Sequence, residues 1–526
     1  MNLLLSRRFL TAIIGLFILA PFSTKAQSID NVMEAYENYQ YNTALKLIKK
    51  VWKKKQNDTE VNYMYGKCIL KANTDRTKAK KYLELVIGND VNYKEVNLEL
   101  GRAYMYTHEF DKAKTALNFF IKNYQAEETK HESNYKPKEI AQLLLKQITT
   151  AETLLKTPLN VSFINLGKSV NTKLSDDNPF ITQNGQTLYY TSNKKYDADL
   201  EEFINNIYFS KFMPENDNSW SKMKSISKEV NDDENEIIVG LSKDEEKIIV
   251  NVNWMQDEGD IFITNRNKKK FQELSELETT VNSEDNEASA SLTKNNDTLY
   301  FCSNRPGGYG GLDIYISVKL PDGTWGKPFN LGPEINTKYN ETYPVINFAG
   351  NCLQFASDRP ESMGGYDIFS STNNNKQWSK AYNLGYPINN CYDNYIITFS
   401  KSKRYGYTSQ IRPEGYGETD IYQVVFNDIP AQNVIYTGTI KKGSGSNSQI
   451  IDGDITIEAF SLKNHQLFAT SKYSAKGKYT FAFPPGEFKL KITGSSFQDY
   501  ERVIRISYNE PINPLVIKNI IVKSDK

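Results

Sequence analysis

Asp176, Glu236, Glu287, Glu341 and Asn394 each stand six residues after the first member of a Val-Asn or Ile-Asn pair. Eighteen residues beyond each stand Lys194, Trp254, Arg305, Arg359 and Arg412. A carboxylate and a cation held at one spacing suit a charge-assisted hydrogen bond, planar and bidentate where the cation is arginine. The pairs Asp176–Lys194, Glu287–Arg305 and Glu341–Arg359 recur from copy to copy, so the first reading is structural, each pair bracing its own repeat. The rival reading is a ring of charge in which Arg305, Arg359 and Arg412 grip a ligand. Binding is better sought where the copies disagree. Trp254, followed by Met255, replaces the cation in the second copy, and an exposed tryptophan suits a protein contact. A tryptophan packed over the neighbouring loop is the plain alternative. The first copy carries the insertion Lys194–Asn206, with Tyr196 inside it.

Other chemistry is poorly supplied. Only three histidines occur, in different segments, and four cysteines (Cys68, Cys302, Cys352, Cys391) show no metal-ligand spacing. A Cys352–Cys391 bridge stays open, with buried thiols as the plainer reading. Asp313, Asp367 and Asp420 close glycine-rich turns and are expected to accept backbone N–H bonds there, as Asp260 would too. One carboxylate per loop is thin for calcium. No nucleophile elbow, zinc helix or phosphate loop is present. Glu284 and Glu287 could form an acid–base pair but read as loop charges. We expect no catalytic residues, no metal and no cofactor.

The elements that must position these residues follow from the repeat. The Val/Ile-Asn pairs begin at 170, 230, 281, 335 and 388, in steps of 60, 51, 54 and 53. A period near 50, built from short alternating apolar runs and Gly/Pro/Asn punctuation, is a β-propeller signature. Each repeat resolves into four strands. Trp-x-Lys-x-x-Asn-Leu-Gly occurs at Trp325–Gly332 and Trp378–Gly385, and its ending recurs at Asn165–Gly167. The chain is therefore expected to enter on the outer strand of a sheet whose other strands come last, near 395–426. That closure leaves no lone edge and gives five blades over 158–430.

The start, with Arg7-Arg8 and an apolar run from Phe9 to Ala20, reads as a signal peptide over 1–26. A retained anchor is the alternative, and the arginine pair hints weakly at twin-arginine export. No later stretch is apolar enough to span a bilayer. With a formal charge of +1, no global field argues for nucleic acid. Residues 27–157 read as helices, with small residues at Ala44, Ala79 and Ala113 and at Gly66 and Gly101, steps of 34 to 35. This resembles the tetratricopeptide repeat, which implies a concave groove for a partner's peptide or helix; a spacer is the alternative. Residues 431–526 carry an all-β pattern, with strands either side of Pro484-Pro485-Gly486. This is similar to the carboxypeptidase-regulatory-like, transthyretin-type sandwich.

"SNRPGGYGGLDIY" and "SDRPESMGGYDIF" look like the TolB-type (WD40-like) propeller repeat. The whole order resembles a group of Bacteroidota envelope proteins, the PorE-like group, associated with type IX secretion and gliding. Many of those continue into an OmpA-like peptidoglycan-binding domain. Here the chain stops at Lys526 without one, and no lipid-anchoring cysteine follows the leader. The expected fold is multidomain α plus all-β: helical solenoid, five-bladed propeller, C-terminal sandwich. The expected function is a non-enzymatic scaffold, exported to the periplasm and associated with the outer membrane, with the cell surface as an alternative. It would hold envelope or secretion-machinery proteins. The alternative is a glycan or peptidoglycan-fragment binder using the propeller channel. A hydrolase lacks a visible site.

Overall fold

The computed structural model describes residues 28–124, 136–197, 202–213, 219–231, 235–252, 259–268, 270–374, 377–431, 433–443, 448–451, 454–474, 476–506 and 515–523. The leader proposed for residues 1–26 lies outside them. The chain divides into two compact units. One holds residues up to Ala72 together with Lys78–Val96; the other holds Asn73–Thr77 and everything from Asn97 onward.

The first unit contains helices α1 (Ile29–Glu37), α2 (Tyr41–Trp52), α3 (Thr59–Lys71) and α4 (Ala79–Asn89), each packed on the next. Asp58 caps α3 by accepting the Val61 N–H at 3.0 Å. Gly66 explains the closeness of α3 and α4, because a Cβ there would sit inside the Leu83 side chain. Ala44 and Ala79 are fully buried for the same reason of close approach. Trp52 seals the unit, edge-on to Tyr65 and Tyr82, with its indole N–H on Asn62 Oδ1 at 3.0 Å.

The second unit contains α5 (Val96–Tyr106) from Asn97 onward, α6 (Phe110–Asn123) and α7 (Pro137–Leu154). Their shared core includes Leu98, Met105, Leu117, Phe120, Leu144 and Ile148. Among the described residues no helix is long and apolar enough to cross a membrane.

Five antiparallel sheets follow. Their inner three strands are Asp176–Ile181, Thr187–Asp197 and Glu202–Met213; Glu236–Leu241, Lys247–Val252 and Asp260–Asn267; Glu287–Leu292, Thr298–Ser303 and Asp313–Val318; Glu341–Ile346, Cys352–Ser357 and Asp367–Asn374; and Ile397–Phe399, Tyr405–Gln410 and Asp420–Phe426. The fifth sheet takes its outer strand from the start of the region, Val161–Asn165, in register Val161↔Phe426. Successive sheets touch through their inner strands. Thr191 Oγ1 accepts the Ile238 N–H, Ser291 Oγ the Ile346 N–H and Thr398 Oγ1 the Ile181 N–H. Ile368, Ile388, Ile397 and Val424 join the fourth sheet to the fifth. The ring is thus closed, as in a β-propeller.

The insertion of the first repeat is described at Lys194–Asp197 and Glu202–Asn206. It lengthens a hairpin, which stays paired out to Asp197↔Glu202. Beyond the ring, two sheets enclose a core of Tyr436, Tyr479, Phe481, Phe483, Phe488, Leu490 and Ile492 among others. Pro484-Pro485 does not close a hairpin. Lys478–Phe483 belongs to one sheet and Gly486–Gly494 to the other, so the turn carries the chain across the sandwich. Leu515–Ile517 and Ile520–Val522 return to pair, in parallel, with Val434–Lys442, and so belong to the sandwich rather than trailing after it.

Candidate functional site

The loop face of the ring is built from three recurring devices. In every repeat the asparagine of the Val/Ile-Asn pair clamps the third strand of the preceding sheet. Asn336 accepts the Ile314 N–H at 2.8 Å and donates to the Ile314 carbonyl at 2.9 Å. Asn171 holds Ile421, Asn231 holds Ile207, Asn282 holds Ile261 and Asn389 holds Ile368 in the same way. The side chain imitates a missing strand neighbour, which satisfies buried backbone groups between sheets.

The second device is the charged pair. In the fourth sheet Arg359 bonds Glu341 Oε1 at 2.9 Å, the Ile335 carbonyl at 2.6 Å and Ser357 Oγ at 3.0 Å. Thr337 N–H and Oγ1, together with Ser357 Oγ, saturate the carboxylate. Burial pushes the Glu341 carboxyl up, and the adjacent guanidinium opposes that shift. The third sheet repeats this with Arg305, Glu287, Val281, Ser303 and Ser283. The guanidinium lies over Phe301 and Tyr315 in the third sheet, and over Phe355 and Phe369 in the fourth. Glu287 is enclosed in this network, which leaves Glu284 without the acid–base mate considered for it.

The other repeats depart from the pattern. Asp176 and Lys194 form no ion pair; the Lys194 ammonium turns to the Met223 thioether at 2.8 Å and lies over the Tyr208 ring. The carbonyl that receives arginine elsewhere, here Val170, instead meets the Tyr190 hydroxyl at 3.4 Å. Tyr190 stands where Phe301 and Phe355 underlie an arginine, so its hydroxyl stands in for the guanidinium. In the second repeat Asn206 donates to Glu236 at 3.1 Å, while Trp254 and Met255 lie outside the described residues. In the fifth, Gln410 reaches the Ile388 carbonyl at 2.6 Å, and Arg412 pairs with Glu414 over the Phe163 ring instead of facing Asn394.

The third device is the glycine-rich turn. Asp313 accepts the Tyr309 and Gly310 N–H groups, and Asp420 those of Tyr416 and Gly417; Asp367 accepts that of Met363. A side-chain amide from the Asn-Leu-Gly phrase completes each: Asn330, Asn165 and Asn383 respectively. Gly310 is required because a Cβ there would strike the Thr337 and Tyr339 carbonyls. Among the described residues no group of three or more metal-ligating side chains occurs. All four cysteines are free.

Part of this face is covered by the same unit's helices. Gln147 of α7 donates to the Asp358 carbonyl at 3.0 Å, and Thr150 to the Pro360 carbonyl at 3.0 Å. Arg76, on Asn73–Thr77, bonds Asp393 at 3.0 Å and Tyr106 at 2.8 Å, and Tyr106 packs on Tyr392. Met363 is fully buried, and Arg359 is 5% exposed. Arg359 is therefore withdrawn from any ligand.

The axis is crossed near the loop face. Asn178 and Tyr343 both take left-handed backbone (φ 52° and 50°) beside bulges in inner strands on opposite sides of the ring. Asn178 Nδ2 donates to the Tyr343 hydroxyl at 3.3 Å and to the Ile238 carbonyl at 3.2 Å. Tyr395 packs on Tyr343 and Tyr366. Among the described residues this face exposes Tyr309 (51%), Tyr416 (46%), and at the end of the long hairpin Tyr196 (53%) against Phe203, ring centroids 5.1 Å apart.

No protein-family model and no curated protein match the chain. Among solved structures it is similar to TolB from Acinetobacter baumannii, at 11% identity over 56% of this chain and 71% of that one, with a TM-score of 0.33. The tricorn protease aligns at 12% identity over 65% of this chain and 32% of its own, TM-score 0.30. The WD40 repeats of RRP9 align at 8% identity over 51% and 98%, TM-score 0.27.

Proposed function

We propose that the chain is a non-enzymatic scaffold of the bacterial envelope, exported and held near the outer membrane, that docks protein partners on the loop face of its propeller. In this reading the five sheets are the blades of a TolB-type propeller. The helices form a tetratricopeptide-like solenoid, and the C-terminal sandwich is of the regulatory-like, transthyretin type. A secretion or gliding complex is the setting that suits the combination.

The observation that carries the reading is the contrast between equivalent loops. The fourth repeat's loop is already occupied by helices of the same unit, through Gln147, Thr150 and a buried Met363. The same position presents Tyr309 and Tyr416 to solvent in the third and fifth repeats, with the Tyr196–Phe203 pair on the first. Exposed aromatics on rigid loops are the usual anchors of protein contacts. The test is affinity purification of the tagged protein from cross-linked envelopes, comparing wild type with Tyr309→Asp and Tyr196→Asp. Envelope proteins that co-purify with wild type and disappear from the variants support the reading. A bait recovered alone, or turnover of glycan, peptide or ester substrates at enzyme-like rates, would sink it.

A further inference from the structure

At the end of the ring opposite the Glu/Arg loops, each inner strand runs into a tight turn of one geometry. Thr182, Ser242, Thr293, Asn347 and Ser400 begin the turns, and each of their carbonyls accepts the N–H three residues on. That third residue is left-handed in all five: Gly185, Glu245, Asn296, Gly350 and Lys403, φ 57–73°. The residue after the turn's first is therefore presented identically five times, as Gln183, Lys243, Lys294, Phe348 and Lys401. Three are lysines and none is a carboxylate.

The turns touch one another and so form a collar around the axis. The Lys401 N–H meets the Gln183 carbonyl at 3.3 Å, and Asn296 Nδ2 meets Asp244 at 2.6 Å. The Glu245 carboxylate lies near the Gln183 backbone. The Lys294 ammonium lies 4.6 Å from the Phe348 ring centre, which fixes its position. Lys243 is drawn inward: burial alone pulls its pKa down to about 8. Carboxylates share these turns: Asp244 is engaged by Ser242 Oγ, Asn296 and the Glu246 N–H, Asp297 by Thr293 and Thr298, Glu245 lies near Arg266, and Glu246 is exposed. A desolvated ammonium at this mouth costs free energy that a bound anion would offset.

We propose that this collar binds a multivalent oxyanion, a ligand whose phosphate or carboxylate groups take Lys243, Lys294 and Lys401 as counter-charges. The site lies at the opposite mouth from the loop face and is independent of the adaptor reading. Rigid turns fix the backbone positions from which the three cations project, which lowers the ordering cost of binding.

The experiment is titration calorimetry of the full chain at low salt with pyrophosphate, trigalacturonate and neutral trigalactose. Saturable binding of an anion, absent for trigalactose and weakened by salt, is expected. Lys243→Met and the pair Lys294→Ser/Lys401→Ser should each weaken it by about tenfold or more. Lys243→Met removes a half-buried charge and keeps the aliphatic volume, so the fold is retained; the paired variant alters exposed side chains only. If pyrophosphate binds as tightly as trigalacturonate, the ligand is a free oxyanion; a clear preference for the sugar acid identifies an acidic saccharide. No saturable binding of either anion up to about 10 mM, or affinities unchanged in both variants, would overturn the proposal. Neither outcome bears on partner capture at the loop face.

Discussion

The third and fourth repeats share one hydrogen-bond network and differ in what lies over it. Glu287–Arg305 and Glu341–Arg359 match to within 0.1 Å in their ion-pair distances, 3.0 and 2.9 Å, and each arginine meets the preceding Val or Ile carbonyl at 2.6 Å. Yet Gly308, Tyr309 and Gly310 are exposed where Ser362, Met363 and Gly364 are buried. The network therefore serves the sheet, and the two or three residues after the Arg-Pro turn decide what the loop touches. A charged residue repeated in the sequence marks architecture here. The uncharged residue beside it, free to vary, marks contact.

Removing the guanidinium tests the first half of that division. Arg359→Met strands a fully buried Glu341 beneath the helices and should cost about 3–5 kcal/mol in urea unfolding of the ring. Arg305, with 15% of its side chain exposed against 6% for Arg359, leaves a carboxylate that water can approach. Arg305→Met should cost about 2 kcal/mol. Equal losses would show that the covering helices contribute nothing to the pair's burial. Gly310→Ala should cost about 2 kcal/mol, because the obstructing atoms are backbone carbonyls of the next repeat and cannot rotate away. A silent Gly310→Ala would mean that neighbouring sheets are less tightly apposed than these contacts require.

The first repeat sharpens the comparison through pH. Its carboxylates lack an arginine, and burial pushes Asp176 up to about 6 and Asp177 up to about 7, Asp177 being raised further by the Asp176 charge. A folded-state pKa above the unfolded value means that the native state holds its proton more tightly. The resulting stability is present in full below about pH 4 and is lost as pH rises toward 7. With Asp177 partly solvated, the loss should be about 2 kcal/mol between those limits. Asp177→Asn should flatten the slope; a slope that persists in the variant would place its origin elsewhere.

The spacing of Glu287 to Arg305 and Glu341 to Arg359 was legible because both partners fall within one repeat, at a separation fixed by strand length. The glycine turns were legible for the same reason. Tyr190 and Gln410, which replace the guanidinium by reaching the same carbonyl from other positions, were not. Substitution by function leaves no mark in an alignment by residue type. Nor was the crossing of the axis by Asn178 and Tyr343, since their residues lie 165 apart and meet only because the ring closes. Lys194 misled for a physical reason. A flexible ammonium does not replace a planar fork that must bond a carboxylate and a carbonyl together.

The smallest stability effect belongs to the residue on which the docking hypothesis most depends. Tyr309→Ser removes a ring that is half in solvent and should shift unfolding by less than about 0.5 kcal/mol. Met363→Ser, at the equivalent and fully buried position, should cost about 2–3 kcal/mol. Partner retention should show the reverse order, with Tyr309→Ser losing cross-linked envelope proteins and Met363→Ser keeping them at temperatures where it is folded. Met363 is already engaged within its own unit and has nothing to offer a second protein, whereas Tyr309 has no such neighbour to satisfy. If both variants retain partners equally, the exposed and the covered loop do not differ in function. The contact surface must then be sought on the Tyr196–Phe203 hairpin.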